Sequence, residues 1–175
     1  MGHPQEAIRR WRSGGPSLFA RECLGADQTE QQLEAGAALV TKRRVAIRSG
    51  HGTGKTTFEA WAIIWFLVCY FPARVPCTAP TGHQLSDVLW AELSKWHRRL
   101  SERLPALAAD LEWSSEAFKL KSRPSESFAV ARTSRPERPE ALQGFHEDNI
   151  LFVIDEASGV PEKVFEVAEG ALSTE

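Results

Sequence analysis

The sequence predicts an α/β protein whose mostly parallel central sheet is flanked by helices, and three stretches lead to this prediction. Residues 44–47 form a short β-branched stretch that runs into a glycine-rich turn and then into a helical pattern. Residues 74–79 form a second strand-like stretch after that helix, which predicts two parallel strands joined by a right-handed crossover. Residues 149–157 are almost continuously apolar, as in a central strand that is buried on both faces.

Length and composition indicate one globular domain without a signal peptide or a membrane-spanning helix. The chain has 175 residues, of which 42% are hydrophobic and 25% charged, enough for one well-buried core. Cys23, Cys69 and Cys77 are widely spaced, which favours a reducing compartment over a disulfide framework or a zinc site. The longest apolar run, residues 60–71, is shorter than the roughly 20 residues that a membrane-spanning helix needs.

Charge is distributed unevenly, although the net charge is only −2. Residues 139–175 contain nine acidic residues and one basic residue, whereas basic clusters occur at 9–12, 42–44, 95–99 and 132–138. Such clusters are usually solvated helix faces, and a track for a phosphate backbone is the alternative. We expect an N-terminal basic helical segment at residues 1–27 and the main domain at residues 28–175.

Periodicity and capping residues predict the remaining elements. Residues 29–40 predict a helix in which Thr29 and Gln32 form a capping pair, and residues 55–71 predict a long buried helix. A helix at 82–103 follows. A helix cap at Thr81 is the simpler interpretation of that residue, and contact of Thr81 and Gln84 with DNA or with the nucleotide state is the alternative. Residues 118–121 and 127–132 predict an antiparallel pair of edge strands, and residues 161–171 predict a last helix.

The glycine-rich turn, RSGHGTGKTT, has the composition of a phosphate-binding loop. Its glycines offer backbone N–H groups that no Cβ obstructs, at the positive end of a helix dipole. Lys55 is then placed to reach the β and γ phosphates of ATP, and the Thr56 hydroxyl to bind Mg²⁺. Ser49 stands where the usual pattern has its first glycine. The candidate nucleotide-binding residues of the loop are Ser49, Gly50, His51, Gly52, Thr53, Gly54, Lys55, Thr56 and Thr57.

The acidic half of the site is predicted at the end of the 149–157 strand. Asp155 is expected to bind Mg²⁺ through water, and Glu156 to orient or deprotonate the attacking water. Ligands of open parallel sheets bind at the carboxyl ends of the strands, where both the loop and these acids fall. Loop and acids together predict a P-loop NTPase of the additional-strand, catalytic-glutamate type that hydrolyses ATP, with Lys55 and Glu156 as its catalytic residues.

Four stretches resemble the ATPase domain of the large subunit of tailed-bacteriophage terminases: VAIRSGHGTGKTT, TAPTGHQL, PEALQGFH and ILFVIDEAS. The resemblance covers about residues 28–171. It implies an ATP-driven motor that moves double-stranded viral DNA into the procapsid, in the cytoplasm of a bacterial host. It implies the terminase small subunit and the portal protein as partners. A homo-oligomeric ring is expected at the portal, and a monomer in solution is compatible with it.

The resemblance also implies a residue that reads adenine. Members of the family usually use a glutamine upstream of the first strand for this purpose. Gln28, Gln31 and Gln32 all lie in range, and we select Gln31.

The chain departs from the family pattern where arginines are usual. His51 stands in the loop, and Gln143 stands before the acidic strand, at positions where many terminases have arginine. An arginine that stabilises charge at the γ phosphate is then expected from elsewhere. Arg135 and Arg138 of a neighbouring subunit are the candidates, with a solvated loop as the simpler interpretation of both residues.

The sequence has no second acidic cluster that suggests a nuclease metal site. We therefore expect an ATPase domain that is incomplete at its C-terminus, without the nuclease domain that usually follows in terminases. Two alternatives stay open. One is a superfamily-2-like helicase or translocase ATPase fragment, which would continue into a second RecA-like domain. The other is a non-catalytic remnant that binds nucleotide or DNA.

Overall fold

The computed structural model describes residues 4–50, 52–133, 144–145 and 147–172. The helices in these residues are α1 (Pro4–Phe19), α2 (Glu30–Thr41), α3 (Lys55–Cys69), α4 (Ala91–Arg103), α5 (Pro105–Ala108) and α6 (Glu162–Leu172). The strands are β1 (Ala73–Thr78), β2 (Leu111–Trp113), β3 (Ala117–Leu120), β4 (Ser127–Ala131) and β5 (Val153–Ile154). Ala20–Leu24 and Gln84–Trp90 are π-helical turns, and Ala157–Gly159 is a 3₁₀ turn after β5.

The strands form one sheet in the order β2-β3-β4-β1-β5. β1 pairs in parallel with β4 and β5, whereas β3 pairs antiparallel with β2 and β4. The α/β class is confirmed, and so is the antiparallel pair predicted from residues 118–121 and 127–132. The sheet is mixed rather than mostly parallel, because the β2–β4 meander contributes antiparallel pairs on one side of β1.

Residues 44–47, predicted as the first strand, pair with none of the described strands. Val45 is half-buried, and the Ile47 side chain is 37% exposed. Contacts with α6 hold the start of this stretch. Arg44 pairs with Glu169 at 2.6 Å, and Arg43 donates to the Leu172 carbonyl. A β-branched stretch becomes a strand only where a neighbouring edge pairs with it. The predicted parallel pair between residues 44–47 and 74–79 is therefore wrong.

The apolar stretch at 149–157 yields only a short strand. β5 spans Val153–Ile154 and lies at the edge of the described sheet, so the prediction of a long central strand is wrong. Arg74 extends the contact upstream, because its N–H donates to the Asn149 carbonyl at 3.0 Å and its carbonyl accepts from the Leu151 N–H at 3.0 Å. The stretch therefore runs alongside β1 but is regular over two residues.

Helix α3 is the central helix of the core. It is apolar on every side from Ala60 onward, as in a helix that is covered all round, and α1, α4 and β1 pack against it. Trp61 meets Trp96 of α4 edge to face, with ring centroids 5.2 Å apart. Trp65 donates its indole N–H to the Trp11 carbonyl of α1 at 2.9 Å. These contacts fix α3, and with it the start of the helix where the glycine-rich loop ends.

Arginines of two predicted basic clusters bind backbone carbonyls at helix ends. Arg12 donates from Nε to the Cys69 carbonyl at the end of α3, at 2.9 Å. Arg99 donates to the carbonyls of Leu24 and Gly25 at 2.9 and 3.1 Å, at the end of the first π-helical turn. Cations at helix C-termini complement the negative end of the dipole. Arg12 and Arg99 are exposed, as the interpretation as solvated faces predicts, and they also bind these carbonyls.

The predicted helix caps are confirmed. The Thr29 hydroxyl accepts from the Gln32 N–H at 3.3 Å, and Gln32 Oε1 accepts from the Thr29 N–H at 3.0 Å, which makes a complete capping box for α2. Thr81 Oγ1 accepts from the Gln84 N–H at 3.2 Å and caps the helical segment that leads into α4. The helices that the structure describes are all too short or too polar to cross a bilayer.

Candidate functional site

The glycine-rich loop leads into the N-terminus of α3, where no side chain caps the helix. Gly54 is the N-cap residue and has a left-handed backbone with φ of 81°, and Gly52 has φ of 74°. A Cβ at Gly54 would lie 2.6 Å from Gln32 Nε2, and the positive φ would strain any other residue, so the position favours glycine. The first-turn N–H groups of α3 and the positive end of its dipole are therefore available to an anion.

Hydrogen bonds within the loop hold its shape. The hydroxyls of Ser49 and Thr53 share a hydrogen bond of 2.6 Å, and the Thr53 hydroxyl donates to the Gly50 carbonyl at 3.0 Å. Lys55 Nζ donates to the carbonyls of Ser49 and Gly50 at 3.2 and 2.8 Å. The Lys55 side chain therefore folds back onto the loop that precedes it. Phosphate oxygens would replace the neutral carbonyls with stronger, charge-assisted acceptors.

Asp155 lies at the carboxyl end of β5 and is only 4% exposed. Its N–H donates to the Thr78 carbonyl at 2.9 Å, and its Oδ1 accepts from the Glu156 N–H at 2.9 Å. Burial raises the pKa of the Asp155 carboxyl. The Glu156 N–H lowers it, the Glu156 charge raises it, and the Lys55 ammonium lowers it. The structure therefore brings Lys55 of the loop within electrostatic reach of the predicted acids.

Glu156 has a strained backbone. Its φ of 49° and ψ of 46° are left-handed, and no other non-glycine residue in the described ranges has positive φ. Such a conformation costs about 1–3 kcal/mol and is frequent at functional sites. The left-handed conformation of Glu156 turns the chain sharply from β5 into the 3₁₀ turn, directly after Asp155.

Glu59 adds a third carboxyl to Asp155 and Glu156, and it was not predicted from the sequence. Burial raises the pKa of Glu59 to about 8, Asp155 and Glu156 act in the same direction, and Lys55 opposes them. Its Oε2 atom is inaccessible to solvent and has no hydrogen-bond partner in the part of the chain that the structure describes. Glu59 follows Lys55 by four residues, one helical turn, and this spacing was the signal that could have identified it.

Glu92 of α4 connects its helix to the first turn of α3. Its Oε1 accepts from the Thr57 hydroxyl at 2.7 Å, from the Trp96 indole N–H at 2.8 Å and from Lys95 Nζ at 3.0 Å. The hydrogen bonds from Thr57, Lys95 and Trp96 hold the pKa of the Glu92 carboxyl below its usual range, against the opposing effect of burial. Thr57, predicted to bind nucleotide, is thus engaged with α4.

The three glutamines considered for adenine recognition lie in different surroundings. Gln32 is buried, and its Nε2 donates to the Gly54 carbonyl at 2.9 Å, which ties α2 to the loop. Gln28 Nε2 donates to the Ser17 carbonyl at 2.8 Å. Gln31, the selected residue, is exposed in the first turn of α2, next to Gln32. Its role in reading adenine stays a prediction.

Several predicted residues lie outside the described ranges. They are His51 of the loop, the arginine candidates Arg135 and Arg138, and Gln143. The resemblance stretch PEALQGFH falls there as well, except for Gly144 and Phe145.

A cleft of about 670 Å³ lies at the other end of α3. Trp65, Phe66 and Tyr70 line it, together with residues 147–151 and the end of α6. None of the predicted site residues lines this cleft. We therefore place the candidate site at the open N-terminus of α3.

Fold and geometry together define an α/β protein with a candidate anion-binding loop beside buried carboxyls at a strand end. Sequence comparison makes the relation more specific. The chain is 34% identical over 129 residues to "Probable terminase, large subunit" of Enterobacteria phage P7, which confirms the resemblance to terminase large subunits. The matched region is 73% of this chain and 26% of the relative, so the chain spans about a quarter of that protein. No protein-family model matches the chain.

Proposed function

We propose that this chain is the ATP-hydrolysing motor domain of a phage terminase large subunit and powers translocation of double-stranded viral DNA into the procapsid. One observation carries the proposal: α3, which begins at Lys55, packs against β1, and the Asp155 N–H donates to the Thr78 carbonyl at the end of β1 at 2.9 Å. We propose that the glycine-rich loop before α3 and the acidic end of β5 form one nucleotide site. The similarity to a terminase large subunit supports the role in DNA packaging.

The residues fit Mg²⁺ and ATP. The start of α3 has no side-chain cap, and a Cβ at Gly50 or Gly52 would meet nothing within 4 Å, so the outer side of the loop is open to a polyphosphate. The acidic side carries Asp155 and Glu156, which suit a hard cation. When bound, Mg²⁺ supplies charge neutralisation for the phosphates.

In the proposed mechanism, each residue of this chain has a separate task. Lys55 leaves its loop carbonyls and binds the β and γ phosphates, while the helix N-terminus holds the remaining phosphate oxygens. Thr56 and Asp155 hold the cation, Asp155 through water. Glu156 accepts a proton from the attacking water.

The wider assembly is part of the same proposal. The chain would act in a homo-oligomeric ring on the portal protein, supplied with viral DNA by a terminase small subunit, in the cytoplasm of a bacterial host. An arginine from a neighbouring subunit would complete the site in that ring.

ATP hydrolysis by the purified chain tests the proposal, alone and with linear double-stranded DNA. We expect turnover that falls at least about 100-fold in both Lys55→Ala and Glu156→Gln, as is typical when a charge-stabilising group is removed. Lys163→Ala and Glu116→Gln are matched controls, because both residues are exposed and lie outside the site. They should retain wild-type turnover. Turnover that survives in Lys55→Ala, or its absence from the wild type with and without DNA, would contradict the proposal.

A second candidate is a module that binds nucleotide without hydrolysing it. The observation that favours it is the stretch 44–47, which leads into the loop without pairing with a described strand. A loop on an unpaired segment can bind phosphates but positions them less precisely for chemistry. ATP binding by the wild type, lost in Lys55→Ala and unaccompanied by turnover in any ring or DNA condition, would favour this candidate.

A further inference from the structure

Glu59 lies directly behind the residues that are proposed to hold the cation. It is three residues after Thr56 and four after Lys55 on α3, so the three side chains share one side of the helix. α3 packs against β1, where Cys77 pairs in register with Val153 of β5. Asp155 follows directly after β5, two residues from Val153. Glu59 is thereby placed between the start of α3 and the acidic strand end.

The Glu59 carboxyl is incompletely satisfied in this place. Its Oε2 atom is inaccessible to solvent and finds no hydrogen-bond partner among the described residues. A buried polar atom without a partner is costly and needs an explanation by function or by a bound group. The groups that act electrostatically on Glu59 are Asp155, Lys55 and Glu156. Three carboxyls and one ammonium therefore interact here, and a divalent cation bound beside them would favour the ionised form of the Glu59 carboxyl.

Direct ligation by Glu59 does not fit the arrangement. Nowhere in the described ranges are three His, Cys, Asp or Glu side chains grouped so that they could hold a metal ion by themselves. Mg²⁺ usually keeps several waters and takes one or two carboxylates together with substrate phosphates. Outer groups that accept hydrogen bonds from such waters orient the cation and commonly contribute 10- to 100-fold in metal affinity.

We propose that Glu59 is a positioning residue for the cation of the nucleotide site, and that its Oε2 accepts a hydrogen bond from a water bound to that cation. The proposal rests on the proposed function, since it assumes that nucleotide and cation bind together at the start of α3. It adds a residue of α3 to a cation site otherwise formed by Thr56 and Asp155.

Binding of a fluorescent ADP analogue tests the inference without measuring hydrolysis. Wild type, Glu59→Gln and Glu59→Asp are titrated with the analogue in EDTA and over a series of Mg²⁺ concentrations. In EDTA, the three proteins should bind the analogue equally. The Mg²⁺ concentration that produces half of the cation-dependent gain in affinity should rise about 10-fold or more in Glu59→Gln. Glu59→Asp keeps the charge and should lie between the two.

Controls separate a positioning role from a structural role. Glu116→Gln, the same substitution at an exposed residue between β2 and β3, should match the wild type. Thermal unfolding of each variant without nucleotide checks that the folded state is retained. An unchanged Mg²⁺ requirement in both Glu59 variants would overturn the inference and leave the proposed function standing. No binding by the wild type at any Mg²⁺ concentration would instead overturn the proposed function and the inference with it.

Discussion

The two ends of helix α3 are built in opposite ways. At the C-terminal end, Trp65 is 2% exposed and hydrogen-bonded, and Arg12 caps the last carbonyl. At the N-terminal end, no described side chain caps the helix, and the buried Glu59 Oε2 has no hydrogen-bond partner among the described residues. Lys55 folds back onto its own loop. A residue that lowers the stability of the fold is expected at a functional site, where it is kept for function rather than for folding. One end of α3 therefore anchors the fold, and the other presents the candidate site.

The largest expected effect is at the anchoring end. Trp65→Ala should lower the free energy of unfolding by about 3–5 kcal/mol, because it removes a large side chain that is 2% exposed and its hydrogen bond to the Trp11 carbonyl. Urea denaturation measures the loss. Trp113→Ala is the control, since this tryptophan is 36% exposed, and its loss should stay below about 1 kcal/mol. Equal losses would show that the core is not concentrated around α3.

At the N-terminal end of α3, by contrast, a substitution should raise the free energy of unfolding. The Glu59 pKa is raised from 4.5 to about 8 in the folded protein, so the folded state binds more protons than the unfolded state between these values. The contribution of Glu59 is fully present below pH 4.5 and is lost as the pH rises through about 8. Glu59→Gln should remove this dependence and raise stability at pH 8 by about 1–3 kcal/mol.

Thermal or urea unfolding of both proteins from pH 5 to pH 9 measures the difference. Glu116→Gln, which exchanges an exposed carboxyl, should leave the pH profile as in the wild type. A Glu59→Gln protein that is less stable than the wild type at pH 8 would mean that the carboxylate contributes to folding, and the contrast between the two ends of α3 would be lost.

A smaller effect is expected at the connection between the site and α4. Glu92→Gln keeps an acceptor for Thr57 and Trp96 but loses the charge that strengthens these bonds and the pair with Lys95. The expected loss is about 0.5–1.5 kcal/mol. Glu112→Gln is a matched control, because its pair with Lys119 is at 3.9 Å and exposed, and such pairs contribute little. Equal stability of the two variants would indicate that α4 does not support the first turn of α3.

Local signals predicted the parts of the fold that depend on neighbouring residues in the sequence. The capping box of Thr29 and Gln32, the buried α3 and the β3–β4 pair all follow from residues within one element or one hairpin. Residues 44–47 were predicted wrongly because strand formation requires a partner edge, which no local pattern reveals. The helix-capping roles of Arg12 and Arg99 depend on carbonyls 57 and 75 residues away along the chain.

The candidate site likewise contains residues that local motifs predicted and features that no local pattern reveals. Lys55, Asp155 and Glu156 were predicted from motifs, because the chemistry of phosphate and cation binding restricts the residue types and their spacing. The strained Glu156 backbone and the unpartnered Glu59 oxygen have no motif, since both arise from how β5 and α3 meet.

Equilibrium binding of MgATP to Glu156→Gln and Lys55→Ala tests most directly whether the start of α3 is the nucleotide site. Glu156→Gln removes the proposed base without touching the loop, so it should bind MgATP at least as tightly as the wild type. Lys55→Ala should bind at least about 10-fold more weakly, which corresponds to about 1.4 kcal/mol. Wild-type affinity in Lys55→Ala would contradict the assignment of the site.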